Sequence, residues 1–252
     1  GTWDSVWAAS FPNEGQNTWP ALDTGDLDSD GKKEIIWGFP NSLGTNADPP
    51  RIVVFEVSGN GDDVLGVPNG DNFDPNAQWN MDVPTDTEMR PLKWRVTDID
   101  SDGTQEVVFA DRRGHYGFGV ASVDDIPDNG GGSETWTMEV SGRSEFANRF
   151  VRSGVIDLAD LEPGGFGEIA SGMDMDGDGN PDLFAVDNLA DRGTAEESNP
   201  SMYKFELVNG AWKMVWKTHI ADLIPGQNTW PTIEYGDWDG DGKEEIIWCP
   251  VN

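Results

Sequence analysis

An acidic loop of one design occurs four times in this chain: DLDSDGKKE from Asp26, DIDSDGTQE from Asp98, DMDGDGNPD from Asp174 and DWDGDGKEE from Asp237. Carboxylates occupy the first, third and fifth positions, glycine the sixth and a further acid the ninth, directly before an apolar run. Four carboxylates within nine residues repel one another unless a cation lies among them. Calcium makes the matching demand, since it takes six to eight oxygens that alternate residues of a tight loop can deliver. Glycine at the sixth position permits a positive φ that turns the seventh carbonyl inward. The expected ligand sets are Asp26, Asp28, Asp30, Lys32 and Glu34; Asp98, Asp100, Asp102, Thr104 and Glu106; Asp174, Asp176, Asp178, Asn180 and Asp182; and Asp237, Asp239, Asp241, Lys243 and Glu245. Lys32, Thr104, Asn180 and Lys243 would serve through their backbone carbonyls, and about four calcium ions (Ca2+) are expected, one per loop.

Asp and Gly also build ordinary β-turns, but a turn needs only one or two of them. Helical calcium loops carry their closing Glu at the twelfth position between two helices. Here the ninth-position acid opens EIIW, EVVF, DLFAV and EIIW, which read as strands.

The loops belong to a longer repeat. Gly15–Asn41 matches Gly226–Asn252 at 17 of 27 positions, GQNTWP and EIIW among them. The loops themselves recur every 60–80 residues or so, a unit that suits four strands. In each unit a first strand enters the loop (Trp19–Thr24, Trp94–Thr97, Trp230–Tyr235) and a second leaves it (Glu34–Trp37, Glu106–Ala110, Glu245–Trp248). A third follows at Ile52–Val57, Phe118–Val123 and Met202–Val208. A fourth, with Trp near its start, is expected at Gln78–Val83, Thr135–Val140 and Ala211–Lys217, with an orphan copy at Thr2–Ala8. The last hairpin turns at Asn209-Gly210, the strongest short hairpin signal.

Successive four-stranded antiparallel meanders packed face to face make a β-propeller, and the nearly unbroken apolar second strands suit sheets covered on both faces. The predicted fold is all-β, a propeller of four-stranded blades with Asp-rich calcium loops. GDLDSDGKKEIIWGFP and its three sister segments resemble the FG-GAP or VCBS repeats of calcium-binding propellers, the type found in integrin α-chain heads. That resemblance implies a structural calcium between the first two strands of each blade.

On this reading residues 1–252 form one domain or segment. It has an orphan outer strand at 1–14, blades at 15–83 and 84–140, an irregular blade at 141–217 and a half blade at 218–252. The irregular blade admits two registers. Ser153–Asp157 and Glu168–Gly172 also read as a first and second strand joined by ADLEPGGFG, and Ile169–Met173 equally reads as the first strand of the Asp174 loop. The ends leave three options: a segment of a longer ring, closure by the N-terminal strand, or exchange of edge strands between copies into an oligomer or filament.

The formal charge of −31 excludes nucleic acid and anionic membrane surfaces as partners. No apolar run is long enough for membrane insertion. One cysteine, Cys249, allows no intrachain disulfide and reads as a small strand residue. His115 and His219 lie in unrelated contexts without a nucleophile motif, so no catalytic residue is assigned. Trp3, Trp79, Trp136 and Trp212 share one repeat position and Trp19, Trp94 and Trp230 another, which points to packing. Trp238, inside a loop and directed away from the ion, is the candidate exposed contact. Loops Asn41–Pro50, Asp124–Gly132 and Asn188–Pro200 are candidate recognition surfaces for a protein or glycan ligand. The function expected is a secreted, extracellular or cell-surface module for binding, adhesion or structure, with self-association through the end strands. A carbohydrate-cleaving enzyme on a calcium-bearing propeller is the alternative.

Overall fold

The computed structural model describes residues 2–10, 21–38, 52–61, 63–79, 91–111, 117–130, 132–140, 166–187, 201–219 and 232–249. Among these residues every regular element is a β-strand, and no helix is long and apolar enough to cross a membrane. The first sheet holds β1 (Ala21–Gly25), β2 (Glu34–Gly38) and β3 (Ile52–Glu56). A small hairpin, β4 (Val67–Asn69) and β5 (Asn72–Asp74), precedes its outer strand β6 (Ala77–Trp79). The second holds β7 (Pro91–Thr97), β8 (Glu106–Asp111), β9 (Gly117–Val123) and β10 (Trp136–Val140). The third holds β11 (Phe166–Met173), β12 (Asp182–Asp187), β13 (Ser201–Val208) and β14 (Ala211–His219), and a fourth unit is the pair β15 (Thr232–Gly236) and β16 (Glu245–Cys249). Strand orders are β1-β2-β3-β6, β7-β8-β9-β10 and β11-β12-β13-β14, antiparallel throughout.

Every acidic loop joins the first two strands of its sheet in one register. The residue before the loop pairs with its ninth-position acid: Gly25 with Glu34, Thr97 with Glu106, Met173 with Asp182 and Gly236 with Glu245. In the third unit β11 leads into the Asp174 loop and pairs with β12, the register in which Ile169–Met173 reads as a first strand. The competing segment Ser153–Asp157 lies outside the described residues.

Side chains alternate across a strand, so the apolar second strands serve two neighbours at once. Val107 and Phe109 pack against Ile36, Ile52 and Val54 of the first sheet, while Val108 and Ala110 pack against Ile169, Leu183 and Ala185 of the third. Phe184 and Val186 in turn meet Ile233 of the last pair. The sheets therefore stack face to face in chain order. Gly38 shows how close they come, because a Cβ there would meet the Trp94 ring at 1.4 Å. First strands form a shared inner row: Val96 N–H donates to Asp23 Oδ2 (2.9 Å), Lys93 Nζ lies 3.4 Å from Glu168, and Arg95 reaches Glu234 at 3.2 Å. All the sheets are open, blade-like layers.

Three expectations change. Residues 2–10 form no strand, so the orphan fourth strand at Thr2–Ala8 is not built. Instead Trp7 donates its indole N–H to Leu65 C=O (3.0 Å) and sets its ring against Phe55 at 5.6 Å and Phe73 at 6.0 Å. Val53 and Phe55 face away from the second sheet, and Trp7, Ala9 and Leu65 cover them. The shared tryptophan position divides accordingly: Trp79 and Trp136 stack at 5.1 Å and Trp212 is buried against Phe118, whereas Trp3 is 100% exposed. Second, the hairpin β4–β5 is an addition to the expected strands; Gly70-Asp71 forms its two-residue turn, with Gly70 at φ +62°. Third, the Asp124–Gly132 segment is anchored at its middle while Asp124, Asp125, Asp128, Asn129, Gly130 and Gly132 stay exposed. Ile126 and Pro127 are buried, and Asn76 donates to Pro127 C=O at 3.1 Å. Loops Asn41–Pro50 and Asn188–Pro200, with Trp19, Trp230 and His115, lie outside the described residues.

Candidate metal centre

The four loops fold on one internal hydrogen-bond scheme. Each first-position Asp accepts the N–H of the sixth-position glycine: Gly31 to Asp26, Gly103 to Asp98, Gly179 to Asp174 and Gly242 to Asp237, at 2.9–3.3 Å. Each third-position Asp accepts the fifth N–H, and each fifth-position Asp accepts the seventh: Lys32 to Asp30, Thr104 to Asp102, Asn180 to Asp178 and Lys243 to Asp241. The ninth-position acid reaches back to the second N–H, as in Leu27 to Glu34 (2.7 Å), Ile99 to Glu106 (2.9 Å), Met175 to Asp182 (2.9 Å) and Trp238 to Glu245 (2.8 Å). Backbone donors thus tie down one side of each carboxylate group, and an ionised carboxylate has further lone pairs to offer.

The sixth-position glycines take φ of +87° to +97°, as the spacing required. The fourth position is left-handed as well, with φ +62° at Ser29, +63° at Ser101, +75° at Gly177 and +79° at Gly240. Only Ser or Gly stands there, a sequence signal that the acid spacing had overshadowed.

Ligand oxygens of Asp26, Asp28, Asp30 and Glu34 lie within 4.8 Å of one another, and so do those of Asp237, Asp239, Asp241 and Glu245. In the second loop Asp98, Asp100 and Glu106 gather without Asp102. In the third, Asp174, Asp176 and Asp178 gather without the closing Asp182, which groups instead with Asp176 and Glu206. The structure therefore assembles the predicted acids completely at two loops and in part at the other two.

Burial gives the first two loops their electrostatic character. It pushes the Glu34 carboxyl up to about 8, with Asp28 and Asp26 adding to the rise, and Glu106 likewise to about 8. Glu34 Oε2 accepts the Leu27 N–H, while its Oε1 is buried with no hydrogen-bond partner among the described residues. A buried carboxylate oxygen without a donor is costly. A hard dication among the three aspartates would supply the missing partner and favour the ionised form. The all-oxygen donor set fits calcium and excludes the soft-metal preference of thiolate or imidazole sites.

Sequence reasoning missed the charges behind the loops. Glu56 and Glu206 lie on third strands directly opposite Glu34 and Asp182, and both are buried. Lys32 Nζ lies 2.8 Å from Asp30, 2.8 Å from Glu56 and 2.5 Å from Asp128. Lys204 Nζ contacts Asp176, Asp182 and Glu206. The signal was available, since Glu56 ends an otherwise apolar strand and Lys204 and Glu206 flank Phe205 in another that is mostly apolar.

The first loop is also braced by the second sheet, through Gln105 Oε1 accepting from Asp26 N–H and Asp28 Oδ2 accepting from Ile126 N–H, both at 2.8 Å. Trp238 is exposed as expected, at 59%. At the same loop position Leu27 and Ile99 are fully buried against the following sheet, so the same site in the repeat is a packing position in the first two loops and an exposed one in the fourth. Cys249 is an exposed free thiol.

Residues 174–248, which run from the third loop to the last strand pair, match the family model of the FG-GAP-like repeat. No curated protein matches the chain.

Proposed function

We propose that this chain is a calcium-stabilised β-propeller, or a run of its blades, that serves outside the cell or at its surface as a binding, adhesion or structural module. Calcium is structural on this reading. The residues that would hold it are the four sets of loop acids, with the carbonyls of Lys32, Thr104, Asn180 and Lys243, and the ion would supply the positive charge that lets those acids stay ionised together. The observation that carries the proposal is the orphaned Oε1 of Glu34, which sits in a loop whose internal hydrogen bonds recur in all four copies. The closing acid opens the second strand, and its other oxygen already holds the loop backbone. An ion bound there ties loop to strand.

Isothermal titration of the metal-free protein with calcium, paired with thermal melts in calcium and in EDTA, tests the proposal. At about 100 times its dissociation constant each occupied site adds about 2.7 kcal/mol. Saturable binding with a raised melting temperature is expected; absence of binding would refute the proposal. Ligand contact with a protein or glycan is assigned to exposed rim segments, and glycan-array binding without turnover is the expected outcome of a polysaccharide screen.

A further inference from the structure

The first, third and fourth loops each have a lysine ammonium against a loop aspartate, and among the described residues only the third also has one on its closing acid. Lys204 is on β13, with its side chain only 11% exposed, and its Nζ lies 2.8 Å from Asp176 Oδ2, 2.8 Å from Asp182 Oδ1 and 2.7 Å from Glu206 Oε1. The other oxygens of both loop acids are already committed: Asp176 Oδ1 accepts Asp178 N–H and Asp182 Oδ2 accepts Met175 N–H. Both oxygens that the third and ninth positions could offer an ion therefore face the ammonium. In the first and fourth loops the closing residue is Glu and lies with its three aspartates; here it is Asp, one methylene shorter, and lies apart from Asp174 and Asp178. Lys32 of the first loop does not play this part, because it contacts Asp30, Glu56 and Asp128 and leaves Glu34 Oε1 free.

We propose that Lys204 is a built-in counter-cation of the third loop that competes with calcium for Asp176 and Asp182, which makes this the weakest of the four sites and lets the third sheet hold together without metal. The inference rests on the calcium reading of the other loops. Room for exchange is present, since Lys204 and Glu206 border a cavity of about 570 Å³ lined by Met175, Phe184, Met202 and Trp216. When calcium enters, the ammonium can keep Glu206 and turn toward that cavity.

The test compares wild type with Lys204→Met, counting bound ions by native mass spectrometry and measuring affinities by calorimetry, with melts in EDTA. Wild type should show three tight sites and one weak site. Lys204→Met should tighten the weak site roughly 10- to 100-fold, the equivalent of freeing a charge-assisted hydrogen bond or two, and should melt lower than wild type in EDTA. Adding Asp178→Asn to Lys204→Met should abolish the gained ion. A second variant keeps the lysine: Asp182→Glu restores the longer closing acid and should also tighten the weak site. Equal binding by wild type and both variants would overturn the competition while the other loops still bind. If no protein binds calcium at any loop, the calcium reading falls and the competition falls with it.

Discussion

The first and fourth acidic loops are nearly the same sequence in different surroundings. Both gather three aspartates and a glutamate, and both use the same backbone donors. The first is enclosed: Leu27 is fully buried, Glu34 is 1% exposed, and Gln105, Ile126 and Asp128 of the second sheet hold it from outside. The fourth presents Trp238 and Ile247 to solvent. Local sequence makes the loop and its oxygen cage, whereas the neighbouring sheet makes its burial and hence the demand for a cation.

Substitution at the second loop position gives the largest contrast. Leu27→Ala should cost roughly 3–4 kcal/mol in chemical denaturation, because it opens a cavity between two sheets. Trp238→Ala should stay within about 0.5 kcal/mol. Equal costs would show that both loops are enclosed to the same degree.

Enclosure should also appear in the pH dependence of stability. Burial, with Lys93 and Arg95 opposing it, raises the Glu168 carboxyl to about 7 on the inner row of the stack. An acid with a raised folded-state pKa binds its proton more tightly when folded, so stability falls as pH rises from about 4.5 to about 7. At about 1.4 kcal/mol per unit the loss reaches roughly 3 kcal/mol or a little more. Glu168→Gln should flatten that part of the urea-denaturation profile; an unchanged slope would assign it to other groups.

The smallest effect is expected at the bridge between sheets. Asp128→Ala removes one exposed partner of Lys32 and should cost about 0.5 kcal/mol, less at high salt. Lys243→Ala, in the open fourth loop, should cost less still. A larger cost at Lys243 would reverse the comparison.

Loops and strands were legible because their signals are local. Acid spacing located all four loops, and glycine at the sixth position required the positive φ found at Gly31, Gly103, Gly179 and Gly242. Asn209-Gly210 located the β13–β14 turn, where both residues have positive φ. What covers a strand was not legible, since alternation shows that Val53 and Phe55 share a face and is silent on whether a sheet or Trp7 lies over it. Read alone, Trp3 resembles Trp79 and Trp136, yet among the described residues nothing covers it. Lys204 and Glu206 were hidden for the same reason: their pairing with Asp182 depends on the register of β12 against β13, not on adjacency in the chain.

Counting calcium ions while melting the protein tests most directly that the acidic loops are metal ties between strands. Native mass spectrometry at saturating calcium should show about four ions per chain, and EDTA should lower the melting temperature by roughly 10 °C or more. A chain that carries no calcium and melts at the same temperature with and without EDTA would contradict it.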